Sequence, residues 1–417
     1  MTQGSAGDGD RRLGFGAAFQ VREFRVLWLA EAQSIVGDQL ARVALSALVF
    51  QRTGSAALTA LTYALTMLPA LVSGLLLAGL ADRFPRRAVM LTCDLLRAGL
   101  LGVMALPGMP IGVLAALLVL VQLAEAPFGA AQGATLPLVL PGQRYEVGQT
   151  IRQITHQSGL LAGFAGGGAL VALIGPNVAL TIDAGTFLLS ALLIRLGVGA
   201  RPASITAARG VRVGIRVQLV DGARLIWTDR RLRTLVLLGW LAGFAVVPEG
   251  LAFPFADQAG IDPAAVGLLL AADPAGMIIG AFALNRWARP EHRIRWLGLL
   301  AVGTCVPLIG YTVEPGLGLA LGLLLLSGLF SAYQVTAGAS FVRLVPAARR
   351  GQGLGFARAG LIAGQGVGIA LGGFVAQLTG SVTETIAIAG AAGTLMAVAA
   401  ATAWARSDPR RVAAELC

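Results

Sequence analysis

Glu31, Ser34, Asp38 and Arg42 stand three or four residues apart in an otherwise apolar stretch. On a helix that spacing places all four on one face. Inside a bilayer each charge costs about 2.5–3.5 kcal/mol on insertion scales, so such residues usually mark function. Two chemistries fit. Glu31 and Asp38 can exchange protons or meet a cationic group on a substrate. Alternatively, Asp38 and Arg42 form an intrahelical ion pair that is purely structural. Glu125, Glu249 and Asp273 are further acids embedded in apolar stretches. Glu125 is the preferred one of the three, because no Arg follows it on its own helix. Asp273-Pro274 also fits the cap of a broken helix. Asp94 and Arg97, three residues apart, read as an ion pair, and Asp183 as a structural group bonded to nearby backbone. His156 follows Arg152 by one helical turn and is a residue type that titrates near neutrality. A lone His near a helix end is more often interfacial, and His292, in a charged loop, reads as solvated.

The elements that must hold these residues are set by composition. The chain has 417 residues, of which 56% are hydrophobic and 13% charged, with a mean hydropathy of +0.77. A soluble domain carries about 25% charged residues; a chain this apolar calls for lipid as its solvent. All 32 basic residues are Arg. Without Lys there is no P-loop and no Schiff-base chemistry. Cys93, Cys305 and Cys417 have neither redox nor metal-ligand spacing, and no H-E-x-x-H or G-x-S-x-G motif occurs. The sequence implies no cofactor, no metal and no enzyme activity. The polar N-terminal residues lack the apolar core of a signal peptide.

Stretches of about 20 apolar residues are each long enough to cross a bilayer. They predict spans near 25–50, 57–80, 88–107, 111–138, 147–174 and 177–198, then 232–256, 263–287, 294–312, 316–344, 352–378 and 384–405. Alternate connections hold 29 of the 32 arginines. By the positive-inside rule both termini are then cytoplasmic. The same placement assigns the net charge of +11 to an anionic inner leaflet rather than to nucleic acid. Residues 1–22 read as a tail, 23–198 as a first six-helix half, 199–231 as a linker, 232–405 as a second half and 406–417 as a second tail. Within the linker, Ile215, Leu219, Ala223 and Ile226/Trp227 repeat at helical spacing among Arg212, Arg216 and Arg224, which predicts an amphipathic helix on the inner leaflet.

The two halves also match each other. At an offset of 205 residues Gly133 falls on Gly338, Pro141 on Pro346, Arg144 on Arg349 and Gly148 on Gly353. The register continues through Gly159/Gly364, Gly163/Gly368, Gly167/Gly372, Gly168/Gly373 and Gly175/Gly380. A repeat of half the chain length is the architecture of transporters whose site lies between repeats at mid-membrane.

Over nearly its whole length the chain resembles the major facilitator superfamily. Ala78-Gly79-Leu80-Ala81-Asp82-Arg83-Phe84-Pro85-Arg86-Arg87 is similar to that superfamily's loop signature G-x-L-a-D-R-x-G-R-[KR], with Ala78 at the leading Gly and Pro85 at the inner one. The resemblance implies that Asp82, Arg83, Arg86 and Arg87 form a conformational latch, a reversible contact between the cytoplasmic ends of the halves. Gly159-x3-Gly163-Phe164-x2-Gly167-Gly168 resembles the exporter signature G-x3-G-P-x-x-G-G, with Phe164 for the Pro; its glycines imply close helix packing. Gly129-Ala130-Ala131-Gln132-Gly133 matches R-x-x-q-G without the Arg, so no proton role of that Arg carries over. Phe24-Arg25-Val26-Leu27-Trp28 with Ser34-Ile35-Val36-Gly37-Asp38, and Asp183-Ala184-Gly185-Thr186-Phe187-Leu188, are nearest the bacterial multidrug, macrolide and siderophore exporter branch.

The expectation is therefore an all-α polytopic membrane protein of 12 transmembrane helices in two pseudo-symmetric halves, a monomer in the lipid bilayer. Its expected work is proton-coupled efflux of an amphipathic small molecule. Substrate and proton coupling would fall to Glu31, Asp38, Arg42, Glu125, Glu249 and Asp273. An importer or lysophospholipid flippase on the same scaffold, and a receptor that binds without transport, stay open.

Overall fold

The computed structural model describes residues 15–77, 80–201, 215–346 and 349–407. The tail residues 1–14 and 408–417, the linker stretch 202–214 and the Asp82 side chain lie outside the described set. All regular structure within it is helical. That is the outcome lipid demands, since a helix satisfies its own backbone hydrogen bonds.

The first half contains α1 (Arg22–Thr53), α2 (Ala56–Leu65, continued by Leu68–Leu76), α3 (Arg86–Met104), α4 (Ile111–Leu123, continued by Glu125–Val139), α5 (Gln143–Ile174) and α6 (Pro176–Gly197). The second contains α7 (Arg230–Trp240, Ala242–Ala245, Val247–Gly250 and Ala252–Gln258), α8 (Val266–Trp287), α9 (Leu297–Ile309), α10 (Leu317–Ser331, continued by Tyr333–Leu344), α11 (Arg350–Thr379) and α12 (Val382–Ala405). Among the described residues nine helices are long and apolar enough to cross a membrane, and Leu297–Val313 is a shorter apolar one. The helices α1, α2, α4, α5 and α7 carry the polar residues that concern the site.

Local chemistry sets the ends. Ser55, Asp229 and Ser381 cap α2, α7 and α12 by accepting the N–H of Leu58, of Arg231 and Leu232, and of Glu384. The start of α1 precedes the apolar stretch, because Glu23 occupies its first turn and accepts the N–H of Gly199 and two bonds from Arg201 at 2.5 and 2.8 Å. The Arg201 guanidinium holds the Glu23 carboxyl below its ordinary value, against the opposing effect of burial. Pro248 and Pro254 interrupt α7, which sequence reading took as one unbroken span. Conversely, α8 runs through Pro274 without a break. The expected cap at Asp273-Pro274 is absent because α10 supports α8 closely. Gly276, Gly280 and Gly328 each have the neighbouring helix's backbone where a side chain would stand.

The sequence repeat is a repeat of contacts. In the first half Gly163 and Gly167 of α5 receive Gln39 and Val43 of α1. In the second, the equivalent Gly368 and Gly372 of α11 receive Gly243 and Val247 of α7. Between the halves, Gly168 of α5 lies on Gly267 of α8, and its equivalent Gly373 of α11 lies on Ala60 of α2. The two halves are thus joined along α5–α8 and α2–α11.

The apolar core divides unequally. At the ends away from the arginine-rich connections one cluster runs through both halves, from Leu40, Tyr63 and Phe164 to Val247, Leu270 and Ile369. At the arginine-rich ends there are two clusters. Phe24, Met90 and Leu136 belong to the first half, and Leu232, Tyr333 and Trp404 to the second. The halves are therefore sealed together on one side and separated by a cleft on the other. The linker helix Ile215–Thr228 seats Gly222 and Ile226 against the second half and leaves Val220 and Trp227 exposed.

Candidate functional site

The polar residues of interest lie on α1, α4 and α5 of the first half and on α7 and α11 of the second. Asp38 is half-buried on α1 and has no hydrogen bond among the described residues. It interacts electrostatically with Arg97, Glu125 and Arg42. The alternative of an Asp38–Arg42 ion pair is not realised, because the Arg42 guanidinium turns the other way. It lies over the ring of Tyr63 on α2, 5.4 Å from the centroid, and its Nε is buried without a partner. A cation held against an aromatic face is partly compensated without an acid. Tyr63 in turn donates its hydroxyl to Glu249 of α7 at 2.6 Å. Arg42, Tyr63 and Glu249 thus form a polar bridge from one half to the other, beside the apolar cluster that both halves share.

Glu31 is not a lone acid either. Arg152 of α5 reaches it at 2.6 and 2.7 Å, and Gln132 of α4 bonds both partners, donating to Glu31 at 3.2 Å and accepting from Arg152 at 2.9 Å. The bidentate geometry ties α1, α4 and α5 together near the wide end of the cleft. Gln132 is the glutamine of the Gly129-Ala130-Ala131-Gln132-Gly133 segment, whose superfamily Arg is missing, and Arg152 brings a guanidinium to it from another helix. Glu31→Gln is expected to lower thermal stability in detergent by about 1–3 kcal/mol, because it strands the half-buried Arg152 charge. The double variant Glu31→Gln with Arg152→Gln should recover part of that loss, and a single variant as stable as the parent would show the pair to be energetically neutral.

Glu125 is exposed where α4 breaks after Ala124, and it interacts electrostatically with Asp38 and with His156. His156 also feels Glu31, Arg42 and, from the opposite half, Arg358. Its side chain is exposed, and it has no hydrogen bond among the described residues. Asp273 stands apart. With Glu249 it lines a small enclosed cavity with Phe255, Tyr311 and Leu324, with room for about one water molecule. One oxygen of Asp273 is buried without a partner.

Behind the cleft, α1, α3 and α6 share a polar core. The expected Asp94–Arg97 ion pair is not formed. Asp94 accepts from Ser190 of α6 at 2.6 Å, and Arg97 lies over the Phe187 ring at 5.1 Å. One turn apart on α3, the two residues meet residues one turn apart on α6. Asp183 is bonded to the Thr186 hydroxyl and packs on Gly37 of α1, where any side chain would strike its carboxylate. Arg86 donates to the carbonyl of Ala134 at 2.8 Å, and Arg87 donates to the carbonyl of Arg195. Both bonds stay within the first half, and Arg83 is exposed. Gly159 of the exporter-like motif receives Ile35 of α1.

Tyr63, Gln132, Arg152 and Arg358 were not singled out by sequence as site residues. Arg152 and Arg358 were read only as charges that set topology. Tyr63 had one available signal, a hydroxyl within an apolar span.

Two pseudo-symmetric six-helix halves around a polar cleft define a secondary transporter. A profile of the Major Facilitator Superfamily matches residues 27–253 and 250–415, and the chain belongs to that superfamily. Among curated relatives, the multidrug efflux pump Tap of Mycobacterium tuberculosis is 29% identical over 276 residues, which is 61% of this chain and 63% of the relative. The match thus spans less than two thirds of that relative's length. Macrolide efflux protein A of Streptococcus pyogenes is 25% identical over 289 residues, 65% of this chain and 68% of the relative. The fold is shared with the nucleoside transporter NupG, at TM-score 0.69 and 15% identity, covering 91% of this chain and 98% of that one. It is shared also with a bacterial homolog of the human lysosomal transporter Spinster in an inward-facing, occupied state, at TM-score 0.66 and 15% identity, covering 94% and 96%.

Proposed function

We propose that this transporter exports an amphipathic, neutral or cationic small molecule in exchange for protons. Asp38 is the proton-exchanging group, and both termini lie in the cytoplasm. The observation that carries the reading is Asp38 itself: a half-buried carboxylate with no hydrogen bond among the described residues, interacting with Glu125 and two arginines. Such a group accepts a proton or a substrate cation without first breaking a bond, and either event changes its attraction to Arg42. Arg42 touches Tyr63, and Tyr63 holds Glu249 across the halves. A change of charge at Asp38 therefore has a short path to a contact that must break when the halves move. With the arginine-rich ends in the cytoplasm, the cleft is open to the inside, the state that collects an export substrate. The names of the Tap and macrolide relatives support the efflux direction and the substrate class.

The test is transport in proteoliposomes with an imposed pH gradient and a panel of lipophilic cations and macrolides. Movement of a panel member opposite to the proton gradient, abolished by an uncoupler, is the expected outcome. Movement that ignores the gradient would remove proton exchange, and accumulation along the proton flow would make the protein an importer. Tyr63→Phe is expected to slow that transport about fivefold while leaving equilibrium binding of the same substrate within about twofold, because one cross-half hydrogen bond of roughly 1 kcal/mol is lost. Equal losses of binding and transport would place Tyr63 in the substrate contact.

A further inference from the structure

We propose that the outer groove between α3 and α6 is a binding site for an anionic phospholipid, whose phosphate is held by Arg87 and Arg195. The groove has a volume of about 470 Å³ and is lined by Pro85, Arg87, Leu91, Leu95, Leu188, Leu192 and Arg195, among others. That size falls within the range of roughly 300–1,000 Å³ in which discrete small-molecule sites lie.

Its chemistry is divided along its length. At the arginine-rich end stand two guanidinium groups, and no carboxylate is among the lining residues. Further into the membrane the walls are leucines, with Leu95, Leu188 and Leu192 each about half exposed. One charged end and one apolar body match a phospholipid, with the phosphate at the arginines and an acyl chain along the leucines.

The arginines are available for this. Arg195 is exposed, and its side chain has no hydrogen-bond or ion-pair partner among the described residues. Arg87 spends one donor on the Arg195 carbonyl, which draws the two residues together at the end of α6. The nearby acid Glu23 is already taken by Arg201 and by the Gly199 N–H, so it does not neutralise the pair. Two uncompensated guanidiniums at the level of the headgroups attract an anionic lipid and discriminate against a zwitterionic one. Arginine also offers paired donors to phosphate oxygens. The site lies on the outer wall of the first half, away from the cleft, and does not depend on the transported substrate.

The experiment is native mass spectrometry of the delipidated full chain in detergent, titrated separately with phosphatidylglycerol and phosphatidylcholine, with thermal unfolding as a parallel readout. Phosphatidylglycerol is expected to bind at least fivefold more tightly than phosphatidylcholine and to raise the melting temperature more. Arg195→Gln should abolish the difference and Arg195→Lys should retain most of it. Leu188→Trp, which fills the groove on its lipid-facing wall, should weaken phosphatidylglycerol while leaving the charge in place. Arg406→Gln, an exposed arginine outside the groove, serves as the control. Equal binding of the two lipids, or a preference untouched by Arg195→Gln, would overturn the proposal. Inorganic phosphate that stabilises the protein as well as phosphatidylglycerol does would show an anion site without an acyl groove, and would overturn it too.

Discussion

Asp38→Asn is expected to cut gradient-driven transport at least about tenfold, the equivalent of ~1.4 kcal/mol, while substrate binding changes by no more than about threefold. The amide keeps the size and shape of the carboxylate and fits a cleft in which Asp38 makes no hydrogen bond to lose. What it removes is the change of charge. Arg42 would remain over Tyr63, and the Tyr63–Glu249 bridge would have no signal to break it. The measurement is initial transport rate against imposed pH difference, with binding followed separately by fluorescence titration. A flat dependence on pH difference with intact binding supports the assignment. A parent-like dependence in Asp38→Asn would overturn it and move the proton to Glu125, which interacts with Asp38 and with His156.

Gly168→Val should be the second severe change, and it acts through sterics alone. The added side chain would strike the backbone of Gly267 and the carbonyl of Ala264, which lies 3.1 Å from an ideal Cβ. These are main-chain atoms of the opposite half and cannot turn aside as a side chain could. Overpacking costs about 1–3 kcal/mol, and here the cost falls only on the state in which the halves meet at this point. The expected result is a folded protein whose halves separate on the sealed side. A cysteine pair across α5 and α8 would crosslink several-fold more slowly, and transport would fall about tenfold or more. Gly373→Val, the equivalent position at Ala60 of α2, should do the same. Unchanged crosslinking would mean that α5 and α8 can separate slightly without cost. Loss of folded protein would mean that the glycine contact is needed for assembly.

Much of the fold was legible from the chain because lipid imposes few alternatives. Runs of apolar residues must be helices, their length is set by the bilayer, and arginine cannot be left at random on either side. The repeat at half the chain length was visible as glycines, and those glycines are the places where α5 and α11 meet α1, α7, α8 and α2. Less visible were the helix breaks. Pro248 and Pro254 interrupt α7, while Pro274 leaves α8 continuous, because the second depends on how closely α10 packs and the sequence near the proline is similar in kind.

The charged face of α1 shows the same division. Sequence alone determined that Glu31, Asp38 and Arg42 share a face of one helix. It could not determine their partners, because those come from helices distant in the chain. Arg152 of α5 claims Glu31, Tyr63 of α2 takes Arg42, and Asp38 is left without a bond. An intrahelical pair at i and i+4 is worth only about 0.2–0.5 kcal/mol, too little to outweigh a bidentate bond or an aromatic face offered by a neighbouring helix. Composition and periodicity therefore settled solvent and helix content, and short motifs carried the family resemblance, whereas tertiary packing decided which of several similar acids has a hydrogen-bond partner.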